Sequence, residues 1–259
     1  MADMAAMTWE LFSDALEMGT SVRVVLPQTS ESQIGVDQEE RSSGELPVLY
    51  LLHGLSDDHS AWTRYTSIER YAAEAGIAVV MPAAGRSFYA DEVHGQKWWT
   101  WVSEELPTIV RRYLRVSGRR EDTWVAGLSM GGYGALKLAL THPDRYAGAA
   151  CLSGAVDIQA LAQRPDRLVT FERIFEGGRP TPDADLFALL EQADASAVPP
   201  LHVSCGTEDA LFAHVERFVA AAEDKGLDLT EDYRAGGHEW ALWDAVIADV
   251  IRWLPRAAP

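Results

Sequence analysis

The chain has 259 residues, 47% of them hydrophobic and 24% charged. That composition is globular, the length suits one large domain with a well-buried core, and whole-chain disorder is excluded. With 22 basic against 39 acidic residues the formal charge is −17, a field that repels phosphate backbones and anionic headgroups, so neither nucleic acid nor a membrane is an expected partner.

No apolar run approaches the roughly 18 residues that span a bilayer. Residues 1–10 lack the basic cluster and continuous apolar stretch of a secretory leader. The cysteines, Cys151 and Cys205, sit in apolar strand-like segments and read as buried thiols in a reducing compartment. The expected location is cytoplasmic.

Residues 8–11 and 21–26 read as a strand pair at a sheet edge. Residues 28–45 are rich in Ser, Gln and Glu and read as a solvated, mobile loop joining two strands. From there strand and helix patterns alternate. Residues 46–52 (LPVLYLL) form a continuous apolar run, as a buried parallel strand does. Residues 68–75 have helical spacing and stop at Gly76; residues 77–81 form a second buried strand, stopped by Pro82. Residues 98–114 read as an amphipathic helix that Pro107 kinks or restarts. Strands follow at 123–127, 147–152, 201–205 and 229–233, and helices at 130–140, 210–225 and 240–254. Such repeated β-then-α units mean a mostly parallel central sheet with helices on both faces, an α/β fold. Residues 157–199 interrupt the alternation and are expected to form short helices, a small cap insertion over the C-terminal edge of the sheet. The whole chain, residues 1–259, is then a single domain.

The sharpest chemical signal is Gly127-Leu128-Ser129-Met130-Gly131, with Gly132-Tyr133-Gly134 after it. A β-branched strand precedes it and an Ala/Leu helix follows. A sharp strand-to-helix turn of this kind lifts a serine out of the sheet beside the unpaired N–H groups of a helix start. A serine hydroxyl needs a base. Of the histidines, His238 follows the last strand and so stands at the sheet edge that carries Ser129. His142 ends the helix after the serine and points away, and His202 reads as a satisfied core histidine. A carboxylate must orient the imidazole. Asp209 follows the fifth strand of the alternating series at the same edge, which gives the chain order Ser129, Asp209, His238 expected of α/β-hydrolases. Glu208 is the near alternative and Asp157 the distant one. Asp209 also suits a helix N-cap. The oxyanion expected in acyl transfer needs donors: the N–H of Met130, and the N–H of Leu55 in the His53-Gly54-Leu55 loop, with His53 bracing that loop. Asp57-Asp58-His59 reads as a solvated turn, and no metal site or cofactor is expected.

Together these residues resemble an α/β-hydrolase-fold serine esterase. The closer resemblance is to the family of tributyrin-type short-chain esterases, cinnamoyl/feruloyl esterases and S-formylglutathione hydrolases. It is carried by residues 51–55 with Trp62, residues 98–107, Gly127 to Gly134 and residues 236–243 (GGHEWALW), although the family often has Asp where this chain has Glu239. The resemblance implies a carboxylesterase acting on small-molecule esters through an acyl-serine intermediate, without cofactor. It also implies a homo-oligomer, a dimer or tetramer. Mycobacterial mycolyltransferases are similar in outline, which leaves acyl transfer by the same triad open. For the substrate pocket, Phe88, Tyr89, Trp98, Trp99 and Trp101 cluster before the central strand; Trp98 and Trp99 are the named candidates, and core packing is the other reading. S-formylglutathione would need cationic anchors, for which Arg86 and Lys97 stand out. The cap residues are expected to be consumed in packing, which leaves room for short acyl chains only.

Overall fold

The computed structural model describes residues 3–28 and 44–255. The loop expected at 28–45 lies, apart from its ends, outside them. The first two strands, β1 (Asp3–Ser13) and β2 (Met18–Gln28), form an antiparallel hairpin much longer than the sequence pattern suggests. Then come β3 (Val48–Leu52), short α1 (Ala61–Tyr65), α2 (Ile68–Ala75) and β4 (Ala78–Pro82). Gly76 caps α2 in the left-handed region, φ 71°, which a side chain resists.

The helix expected over 98–114 is broken into α3 (Trp98–Thr100), a π-turn (Trp101–Glu105) and α4 (Leu106–Tyr113). Pro107 explains the break. It has no N–H for the carbonyl of Ser103, four residues back, which instead accepts from Arg145 Nη1 at 2.7 Å. After β5 (Thr123–Leu128) comes α5 (Met130–Thr141), whose residues are buried from Met130 to Leu140. β6 (Gly148–Leu152) leads to α6 (Ile158–Ala162), α7 (Leu168–Ile174) and α8 (Leu186–Gln192). The chain closes with β7 (Leu201–Gly206), α9 (Phe212–Asp224), β8 (Leu229–Arg234) and α10 (Trp240–Trp253).

The strands form one eight-stranded sheet in the order β1-β2-β4-β3-β5-β6-β7-β8, antiparallel only where β1 and β2 pair and where β2 meets β4. Alternate side chains feed two cores. Val48, Tyr50 and Leu52 of β3 face α5 and the α6–α8 segment, while Leu49 and Leu51 face α2 and α10. Because β3, β4 and β5 to β8 are parallel, their C-terminal ends share one edge.

Close backbone approach sets the geometry at that edge. A Cβ on Gly131 would lie 2.3 Å from the carbonyl oxygen of Leu52, and one on Gly127 would lie 2.4 Å from the carbonyl of Gly131. The start of α5 is thereby drawn against the end of β3. Gly131→Ala collides with backbone that no rotamer change can move, so we expect a loss of about 3 kcal/mol. A shift of the urea midpoint at unchanged slope measures it.

Candidate active site

Ser129 stands between β5 and α5 at φ 52°, ψ −115°, a region that side chains rarely occupy. The turn is held by three backbone bonds: Ser129 N–H to Leu152 O at 2.8 Å, and Tyr133 N–H and Ala155 N–H to Ser129 O at 3.1 and 3.0 Å. With its backbone held by β6, the loop after it and the first turn of α5, the serine lines a cleft of about 500 Å³ together with His238, Asp209, Leu55 and Met130.

His238 follows β8, and its Nδ1 donates to Asp209 Oδ2 at 2.7 Å. Asp209 is 6% exposed. Its other oxygen, Oδ1, accepts the N–H of Leu211 at 2.9 Å. One carboxylate oxygen thus meets the imidazole and the other a backbone N–H on the approach to α9, whose N-cap position is Leu211 and not Asp209. Burial alone would raise the Asp209 carboxyl; the hydrogen bonds from His238 and Leu211 outweigh it and hold the group below the usual carboxylate range. Glu208 is exposed, and Asp157 is engaged elsewhere, capping α6 through Ala160 N–H at 3.0 Å and pairing with Arg217. The imidazole also meets the ring of Trp243 edge-on, with centroids 4.8 Å apart. Trp243 is fixed in turn by its Nε1–H, which donates to Ser153 Oγ at 3.1 Å. Ser129 and His238 share the cleft, but no hydrogen bond joins them; in unliganded enzymes such bonds often close only around substrate.

The N–H groups of Leu55 and Met130 find no protein acceptor among the described residues. His53, 1% exposed, holds the loop before Leu55. Its Nδ1–H donates to Gly54 O at 2.7 Å and its Nε2 accepts from Ala84 N–H at 3.0 Å, which fixes a neutral ring whose pKa burial lowers. His142 stacks on Trp99 with ring centroids 5.7 Å apart. His202 is buried in β7 against Trp253, but its Nδ1 has no hydrogen-bond partner, so it is not the satisfied core histidine expected.

The aromatic pocket is where the expectation needs correcting. Trp98 and Trp99 do not line the cleft. Trp98 packs under Gly85, where a Cβ would come 3.2 Å from its ring, and Trp99 is covered by His142. The aromatic wall comes instead from Phe88, Trp240 and Trp243. Trp240 is wedged between Tyr65, stacked at 4.8 Å, and the edges of Trp62 and Trp243 at 5.4 and 5.2 Å. The basic anchors also differ. Arg86 lines the cleft and Lys97 does not; Arg164 and Arg167, from the segment between α6 and α7, were missed. That segment has no periodic pattern to place them, whereas Trp240 and Trp243 stood in view beside His238. Among the described residues no group of three or more His, Cys, Asp or Glu is placed to hold a metal ion.

An eight-stranded, mostly parallel sheet with helices on both faces, a serine at a left-handed strand–helix turn and a histidine–carboxylate pair beside it define an α/β-hydrolase. The chain matches the Esterase family, described as "Putative esterase", over residues 13–254. It is 27% identical over 267 residues to an acetyl esterase of Caldicellulosiruptor saccharolyticus, a match covering 98% of this chain and 100% of that one. Among solved structures it resembles the fluorophosphonate-binding serine hydrolase F of Staphylococcus aureus, with TM-score 0.86, 30% identity and coverage of 98% and 99%. The S-formylglutathione hydrolase of Staphylococcus aureus gives TM-score 0.82, 31% identity and coverage of 98% and 100%. The chain belongs to the esterase family and is a carboxylic ester hydrolase.

Proposed function

We propose that the protein hydrolyses short-chain acyl esters with a Ser129-His238-Asp209 triad. Ser129 Oγ attacks the ester carbonyl while His238 takes its proton; the N–H groups of Leu55 and Met130 receive the oxyanion. His238 then returns the proton to the leaving alcohol. Water, activated by the same imidazole, releases the acid and restores the serine. Asp209 holds the ring in the tautomer that presents Nε2 and stabilises its charged form. The observation that carries this reading is the 2.7 Å bond between His238 and Asp209 in the cleft that Ser129 enters. Residues 157–199 serve as the cap of a single domain, and the buried, unpaired Cys151 and Cys205 suit a reducing, cytoplasmic setting.

The cap's apolar side chains support the short acyl chain. Phe171, Ile174, Phe175, Leu186 and Leu190 are buried in the main core, and the Tyr133 hydroxyl donates to Ala184 O at 2.5 Å, pinning the cap to α5. What remains for an acyl chain is a cleft of about 500 Å³ with the wedged Trp240 in its wall. Each methylene gains about 0.8 kcal/mol only while it finds apolar surface to bury. Across nitrophenyl esters of two to twelve carbons, kcat/KM should peak at acetyl to butyryl and fall within a few carbons. A profile still rising at ten carbons would show a channel instead of a wall.

A second reading, hydrolysis of S-formylglutathione, gains support from Arg86, Arg164 and Arg167 on the cleft wall of a chain whose overall charge is −17. Carboxylates on a leaving group would meet opposite charge there and nowhere else along the cleft. Assaying that thioester beside nitrophenyl acetate separates the two readings.

A further inference from the structure

The chemistry above makes no use of Lys137, an amine on α5 that is only 4% exposed. It lies eight residues beyond Ser129, about 12 Å along the helix axis, and so cannot reach a substrate at the serine. A buried ammonium persists only where it is paired. Its Nζ donates to the backbone carbonyl of Tyr89 at 3.2 Å and stands 4.1 Å from the centroid of the Trp99 ring. The charged and titratable groups that bear on it are Asp91 before α3, Asp183 before α8 and His142 at the end of α5.

Its partner is not ordinary loop backbone. Phe88 and Tyr89 are both left-handed, at φ 48° and 46°. Two successive non-glycine residues hold that conformation only where the surroundings impose it. Here the Phe88 N–H points to Met130 Sδ at 3.3 Å, and the Tyr89 N–H to Ser87 Oγ at 3.0 Å. Gly134 leaves a notch for the tyrosine ring, since a Cβ there would lie 2.6 Å from Tyr89 Cδ2. Held this way, the Tyr89 hydroxyl donates to the carbonyl of His53 at 2.9 Å. His53 opens the turn that carries the N–H of Leu55.

We propose that Lys137 is a positioning residue for the oxyanion hole, acting through the carbonyl and hydroxyl of Tyr89 to fix the His53–Gly54–Leu55 turn against Ser129. The inference rests on the role given above to the Leu55 N–H. Lysine suits the task because a charged donor binds a carbonyl more strongly than a neutral one. Burial brings Lys137 down to about 8, against the pull of Asp183 and Asp91. The contact therefore weakens as pH rises through about 8. Stability moves the other way. The unfolded lysine keeps its proton up to its ordinary 10.5, so between these values the unfolded chain binds more protons and this group makes folding more favourable as pH rises.

Lys137→Met keeps the length of the side chain and removes the donor. Losing an oxyanion donor outright costs about a hundredfold or more, so a displaced one should lower kcat on the order of tenfold. KM for a nitrophenyl ester should stay within about twofold, since the ground-state ester does not use the hole. The Ki of a trifluoromethyl ketone, whose serine adduct places an oxyanion there, should rise by the same factor as kcat falls. Tyr89→Phe should reproduce the pattern, and the double variant should add little to either single one. A wild-type kcat, a reduced kcat with unchanged ketone Ki, or additive effects would each overturn the proposal. If Lys137→Met does not fold, Tyr89→Phe decides by the same ketone measurement. Full activity in Lys137→Met beside a dead Ser129→Ala would sink this inference alone, whereas activity in Ser129→Ala would sink the triad.

Discussion

Ser129→Ala should lower kcat for ester hydrolysis about a millionfold and leave the fold intact. The size of the effect follows from the absence of a substitute. The remaining cleft hydroxyl is that of Ser56, which lies on the loop after Leu55 with no imidazole paired to it. The fold should survive because the bonds that shape the turn, to Leu152, Tyr133 and Ala155, all run through the backbone of residue 129. Glycine at this position makes a sharper test. It tolerates φ 52°, ψ −115° without strain, so Ser129→Gly should be as inactive as the alanine variant yet more stable by about 1 kcal/mol. Gaining stability by removing a single hydroxymethyl group is what a residue strained for function predicts. A variant that keeps a tenth of wild-type kcat would remove Ser129 from the role.

His238→Ala should cost nearly as much as the serine change, because a hydroxyl without its base is a poor nucleophile and the effects of triad members do not add. Among the described residues no other histidine lines the cleft. The His53 ring has both nitrogens committed, to Gly54 and Ala84, and His142 is stacked under Trp99 at the far end of α5. Asp209→Asn should fall short of both, at roughly ten-thousandfold, through loss of the correct tautomer. The asparagine can still accept from Leu211 N–H, so stability should change little. Glu208→Gln serves as the control. Should it prove the crippling change and Asp209→Asn the mild one, the acid is the neighbouring residue.

Much of this fold was legible because buried parallel strands announce themselves. VLYLL and AVVMP have no polar position, and a glycine or proline punctuates each end. The serine, histidine and aspartate were legible for a related reason: strand ends at one sheet edge are neighbours in space, whatever their separation in sequence. Other features depend on information that one-dimensional pattern does not hold. The hairpin β1–β2 runs eleven residues a side because each strand finds the other, and DMAAMTWELFS alternates too weakly to show it alone. Trp98 and Trp99 pack with the core on the α5 face of the sheet, whereas Trp240 and Trp243 pack with the core on the α2 and α10 face, a distinction the sequence does not display. Arg164 and Arg167 reach the cleft because of how α6 and α7 fold over it, in a segment with no period to read.

The proposed mechanism requires that Ser129 be the nucleophile that becomes acylated. Mass spectrometry of the intact protein after treatment with a fluorophosphonate, followed by peptide mapping, tests it most directly. The predicted result is one adduct per chain, on Ser129, with hydrolysis lost in proportion to labelling and no adduct on Ser129→Ala or His238→Ala. Full ester hydrolysis by a fully labelled protein, or an adduct on any other residue that accompanies the loss of activity, would contradict it.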